Sequence, residues 1–454
     1  MRKLSRFLLS LCLCLSCIWN SAPFLPTLQT TAEETNNTSN VMEFTVENPA
    51  FAQIEKVTLD EGEAVKIVPK LSTVVLYLHH SAFNGMQNGE KAHIDFQMFL
   101  TSAAEGYDSL RLNTWGGVLV DYGFKRNAWN RVNFDGAVFT REGKTVVCVE
   151  IQNAIDKELY IRDMQVNGDT FTTEGIFGGV ELYQYEPNSK HQTMMNGYLL
   201  VTPDDKLIVQ DGGYIGDGAE LLKLINQYNY KVDGWFLSHY HVDHVTALTE
   251  ILNNGDIVIE NLYYNFSANW PNLDGDKGCI TALENALNAH PEKVKNIITT
   301  KKGDVYTFGE YLTIKVLNDP DYMTQINSGN NTTVVFKAET PGEDILFLGD
   351  LGESGDTYLQ DPYFVREMRS CAVVQMAHHG QNGVSDRFYE VMDEIKVCLY
   401  PAPQWLYDVI EGAHNGIGVN ELGSGPWNTL HTRHLMRTLG VRASYPAFER
   451  IHLR

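Results

Sequence analysis

The run Ser238-His239-Tyr240-His241-Val242-Asp243-His244 sets three imidazoles and a carboxylate within six residues. Imidazole nitrogens and a carboxylate oxygen are the donors that borderline divalent ions such as zinc prefer. Along an extended backbone His239 and His241 alternate, so both project to the same side. Asp243 and His244 follow a turn and can face a second position. Two adjacent positions of this kind suit two-metal hydrolysis, in which a shared water loses its proton near neutral pH. The flanking residues supply the elements that such a cluster needs. Gly234-Trp235-Phe236-Leu237 reads as the end of a buried strand, and Val245 to Leu252 reads as a helix. A strand that fixes the entry and a helix that fixes the exit turn crowded ligands toward one point. A polar loop with chance histidines is the competing reading, and the strand–loop–helix context weighs against it.

His239-x-His241-x-Asp243-His244 resembles the signature of the metallo-β-lactamase fold superfamily, and the flanking pieces match in order. Asp211-Gly212-Gly213, after the strand Leu207–Gln210, resembles its first motif. Asp350 closes the apolar strand Ile345–Gly349, where the family places its metal-bridging aspartate. His378-His379-Gly380, after the strand Ala372–Met376, resembles its last histidine motif. The match runs from about Val180 to the C-terminus. It implies an α/β domain of αββα four-layer architecture holding two divalent metal ions, zinc with manganese as the alternative. His239 and His241 would hold the first ion; Asp243, His244 and His379 would hold the second; Asp350 would bridge them. His378 is assigned to the substrate, where it meets a developing oxyanion or protonates a leaving group. The reverse assignment of His378 and His379 stays open. Asp243 and His378 are the expected catalytic residues.

One departure bears on the first ion. The family's third histidine should fall between His244 and Asp350, where the single histidine is His290, after a helix and expected to face solvent. In its place stands Asn330-Asn331-Thr332-Thr333-Val334-Val335, expected to open a strand Thr333–Lys337. This resembles the branch of bacterial competence (DNA-uptake) proteins and phosphorylcholine esterases. The first ion is therefore expected to be under-coordinated or open to substrate. Asn331 is expected to contact substrate. So are His431 and His434, spaced i, i+3 on a predicted helix Asn428–Leu439, for which a plain helix surface is the alternative.

The chain of 454 residues is too long for one ordinary core. Residues 1–32 carry a basic start and an apolar run too short to span a bilayer comfortably, the layout of a secretory signal. Cys17 offers a lipid anchor as an alternative fate. Residues 33–40 are a polar spacer. Residues 41–175 alternate in short β-rich runs with Gly-containing turns, predicting an all-β sandwich of accessory role. Its Trp115, Trp129, Tyr107 and Tyr122 suit sugar stacking, and a place in the core is the preferred reading. Residues 176–454 form the hydrolase domain. Cys148, Cys279, Cys371 and Cys398 show no zinc-knuckle spacing, and Cys371 and Cys398 read as buried thiols. A formal charge of −22 argues against nucleic acid as a tight partner.

These features lead to one expectation: a secreted or surface-held hydrolase that uses a metal-bound hydroxide, acting on a small-molecule or cell-surface phosphoric (di)ester. A membrane contact would come only from an N-terminal anchor. Lactone or thioester hydrolysis by the same fold is the runner-up. A glycan-binding surface protein with a vestigial metal domain is the reading from another class.

Overall fold

The computed structural model describes residues 43–115, 120–167, 171–185, 194–381, 383–408, 428–447 and 451–454. The expected signal and spacer lie outside them. Ten antiparallel strands, from Glu43–Val46 to Glu158–Asn167, build the N-terminal sandwich. The long strand Trp129–Arg141 belongs to both of its sheets: residues up to Ala137 pair with Lys91–Thr101, and those from Val138 pair with Lys144–Gln152. Alternation decides which side chains go inside. Tyr107–Thr114 buries every second residue, and Ile67, Leu76, Ile94, Phe96, Leu112 and Phe134 meet in one core. The core placement expected for Trp115 does not hold. It is 47% exposed and stacks on Phe139, because its strand has left the sheet by that point. Trp129 packs on Phe99, under the Arg162 guanidinium.

The second domain has two sheets packed face to face. The first runs, in spatial order, through Lys231–Val232, Val258–Tyr264, Gly234–Phe236, Leu207–Gln210, Tyr198–Val201, Glu181–Gln184 and the C-terminal Ile451–Leu453, with Val294–Thr299 also on Val258–Tyr264. The second runs through Val305–Phe308, Leu312–Val316, Phe336–Glu339, Asp344–Phe347, Cys371–Gln375, Val397–Tyr400 and Ala443–Pro446. Helices α1 (Gly218–Asn226), α2 (Val242–Asn254) and α3 (Lys277–Ala289) cover the outside of the first sheet through Leu221, Leu248, Ile251 and Leu283. Helices α4 (Pro362–Arg369), α5 (Asp386–Glu390), α6 (Gln404–Tyr407) and α7 (Leu430–Leu439) cover the second through Phe364, Phe388, Trp405 and Met436. Between the sheets, Leu200, Ile208 and Phe236 meet Phe336, Phe347 and Leu399. Strand periodicity sorts Asp344–Phe347 accordingly: Ile345 and Phe347 face the other sheet, and Leu346 faces the helices. The result is the expected α/β four-layer αββα arrangement.

Two local expectations are corrected. The helix after the histidine cluster begins at Val242, not Val245, so Asp243 and His244 stand in its first turn. The strand expected from Thr333 begins at Phe336, and Asn330–Thr332 form a short 3₁₀ turn. There Val334 N–H donates across to Ser238 O, tying the Asn-rich segment to the histidine loop. No helix among the described residues is long and apolar enough to cross a membrane.

Candidate metal centre

Each ligand-bearing segment leaves the end of a strand, where the backbone is free to turn. His239 and His241 follow Gly234–Phe236, Asp350 follows Asp344–Phe347, and His379 follows Cys371–Gln375. The first of these strands belongs to one sheet and the other two belong to the second, so the site lies across the seam between the sheets. His378 and His379 both adopt left-handed backbone, with φ of 48° and 58°, a conformation that non-glycine residues seldom take. This tight turn, not a plain strand end, sends the two adjacent rings in different directions.

Two donor groups result. Asp243, His244, Asp350 and His379 form one; His239, His241 and Asp350 form the other. Within each group one ligand atom per residue lies within 4.8 Å of the rest, and Asp350 belongs to both. His379 Nε2 is 2.9 Å from Asp243 Oδ2 and 3.3 Å from Asp350 Oδ2, and His244 Nε2 is 3.1 Å from Asp350 Oδ1. His239, His244, Asp350 and His379 are each at most 2% exposed.

The residues present fit divalent cations. His239 Nε2 is buried and makes no hydrogen bond, and His244 Nε2 and Asp350 Oδ1 face only each other, a costly state that a cation would relieve by taking up their lone pairs. The electrostatics agree. Burial works against charge on His379, yet Asp350 and Asp243 lift its pKa to about 10. Burial likewise opposes charge on His244, and Asp350, Asp243 and Asp211 raise its pKa well above the usual imidazole range. The carboxylates thus draw positive charge into a closed space, and a divalent cation would supply it without protonating the ligands.

Supporting contacts fix the ligands. Asp211, fully buried, accepts from Ser238 N–H at 2.7 Å, Ser238 Oγ at 2.9 Å, Asn196 Nδ2 at 3.1 Å and His244 Nδ1 at 3.0 Å. The last bond leaves His244 Nε2 for the site. His379 Nδ1 donates to Pro401 O at 2.5 Å and is oriented in the same way. The sequence marked Asp211 as part of a motif but gave it no role.

The other expected residues are distributed differently. His378 stays partly exposed beside the buried cluster, and its Nε2 lies 3.2 Å from Asn330 Nδ2. Asn331 is a correction. Its amide bonds Ile326 O at 2.7 Å and its Oδ1 accepts from Ser354 N–H at 3.2 Å, so it builds the loop while Asn330 reaches the site. His431 and His434 stand where α7 meets the sandwich: His431 bonds Asp386 at 2.6 Å and the Tyr107 hydroxyl at 3.3 Å, and His434 packs on the Tyr107 ring. Neither belongs to a donor group. His290 caps α3 beside Glu292, away from both groups.

The family model described as the metallo-beta-lactamase superfamily matches residues 194–277. Among solved structures, the chain is similar to the metallo-beta-lactamase fold protein YhfI from Bacillus subtilis, with 14% identity, TM-score 0.38, and 61% of this chain and 99% of that one covered. It is also similar to Zn(2+)-bound PqqB from Methylobacterium extorquens, with 9% identity, TM-score 0.35, and coverage of 61% and 99%. A diphosphatase of the PhnP family shares 11% identity at TM-score 0.32, with coverage of 50% and 89%. A search of curated proteins found no match.

Proposed function

We propose that the chain, a metallo-β-lactamase-fold hydrolase by its family match and its donor set, acts on phosphoric diesters. The observation that carries this reading is the pair of adjacent donor groups sharing Asp350. Divalent ions bound there would supply Lewis acidity and lower the pKa of water toward neutrality. The protein's own residues do the rest. His239, His241, Asp243, His244, Asp350 and His379 would hold the ions, and each is buried or bonded from behind. His241 and His378 are the site imidazoles that keep contact with solvent, so substrate approaches from their side. His378, whose Nε2 accepts from Asn330 Nδ2, is held as a neutral imidazole that donates a hydrogen bond to a non-bridging phosphoryl oxygen. The basic and apolar character of residues 1–32 supports export, which would place the substrate outside the cell or on its surface.

Zinc- or manganese-loaded protein should be offered bis(p-nitrophenyl) phosphate, p-nitrophenyl phosphate, a γ-lactone and a thioester. Preferred turnover of the diester supports the reading. Turnover of the lactone or thioester with the diester untouched would replace it with the runner-up.

A further inference from the structure

Among the described residues the group His239, His241 and Asp350 holds no third imidazole, and the structure surrounds His241 with a clamp. His241 Nε2 lies 2.7 Å from Asp274 Oδ2, a carboxylate from the loop that leads into α3. That loop is itself tied to the histidine segment. Asp274 N–H donates to the Tyr240 hydroxyl at 3.3 Å, Asp276 N–H donates to Asp274 Oδ1 at 3.0 Å, and Asp276 Oδ2 accepts from Val242 N–H at 3.1 Å. The Asn-rich turn then closes over the pair at Gly329. A Cβ at that position would fall 1.8 Å from His241 Nε2 and 2.1 Å from Asp274 Oδ2, so only glycine lets the backbone pass.

With Nε2 engaged by Asp274, Nδ1 is the nitrogen that His241 has left to offer an ion. We propose that Asp274 is a positioning residue for the first metal position: it fixes the His241 tautomer and ring so that Nδ1 serves as ligand. This inference rests on the hydrolase reading above and concerns the ion at His239, His241 and Asp350 alone. A carboxylate behind a ligating imidazole also raises its basicity, and loss of such a partner typically weakens metal binding about 10–100-fold. Asp276 binds the same loop through a backbone N–H without touching an imidazole, which makes it the natural comparison.

Zinc affinity of the full chain should be measured by competition with a chromogenic chelator for the native protein, Asp274→Ala, Asp274→Asn and Asp276→Ala. Thermal unfolding in EDTA serves as the check on folding. The expected result is that Asp274→Ala weakens one of two ions about 10–100-fold and leaves the other unchanged. Asp274→Asn, which keeps an oxygen acceptor, should recover part of the loss, and Asp276→Ala should match the native protein. The proposal is overturned if folded Asp274→Ala binds both ions natively, or if Asp276→Ala loses as much as Asp274→Ala. A native chain that binds no zinc would overturn both the proposal and the hydrolase reading beneath it.

Discussion

His379 Nε2 stands 2.9 Å from Asp243 Oδ2, although Asp243 opens α2 on the outside of one sheet and His379 follows a strand of the other. The complete ligand set therefore exists only while the two sheets are docked. Metal binding and folding of this domain should be coupled. An ion that binds only the native state stabilises it by about 2.7 kcal/mol when free metal is 100 times its Kd. Thermal unfolding should thus move upward as zinc is raised from EDTA-treated protein. A midpoint indifferent to zinc would mean that the cluster holds no ion in the native state.

His378 and Asn330 form the pair on the open side of the cluster. His378→Gln should lower kcat on the diester about 100-fold while both ions remain bound, the usual scale for losing a hydrogen-bond donor to the developing charge. Asn330→Ala should lower kcat less, about 10-fold, through poorer placement of that ring. Steady-state kinetics beside metal analysis distinguishes these effects. Lost metal in His378→Gln would reassign that histidine as a ligand, the alternative left open by the sequence.

Much of the site was legible before the structure because its ligands sit in short motifs whose chemistry survives in one dimension. His239, His241, Asp243 and His244 fall within six residues, and Asp350 and His379 each follow shortly after an apolar strand. The supporting residues were harder to see because they act across long sequence distances. Asp274 meets His241 only when the loop before α3 folds back, and neither residue type nor local periodicity announces that contact. Asn331 and Asn330 are chemically identical neighbours, so only the turn geometry decides which one reaches His378. The same limit applies to the fold. Ile451–Leu453 pairs with Glu181–Gln184 at the far end of the chain, and its three residues carry too little pattern to reveal that register. Trp115 misleads for another reason: size and aromaticity favour burial, but its place beyond the end of a strand leaves it exposed.

Asp211 accepts four hydrogen bonds in a fully buried position. Asp211→Ala leaves several of those donors without partners, and a cost of about 3–5 kcal/mol is expected. Urea unfolding of the metal-free protein should record it, which separates structural support from metal affinity. A change below about 0.5 kcal/mol would mean that water replaces the carboxylate without penalty.

Glu367 on α4 predicts an acid limb of stability. Burial pushes its pKa upward, but hydrogen bonds from Arg366 and Lys315 and the charge of Lys337 prevail and hold it at about 2, below its ordinary 4.5. Lys337, buried in the second sheet, lies 3.3 Å from Glu367 and 3.0 Å from Asp344. A depressed carboxylate contributes its full stability above the unfolded value and loses it as pH falls through the folded one. Glu367→Gln should therefore be less stable than native at pH 7, and the gap should shrink between pH 4.5 and about 2. Unfolding free energies across that range check the sign; a gap that widens on acidification would contradict it.

Asp350 is the residue shared by both donor groups, so its removal bears most directly on the central claim. The measurement is metal content of the purified chain together with turnover of bis(p-nitrophenyl) phosphate, native against Asp350→Ala. The account predicts two ions per chain and measurable turnover in the native protein, with at least one ion lost and turnover down about 100-fold or more in the variant. Equal metal content and equal turnover in the two proteins would contradict it.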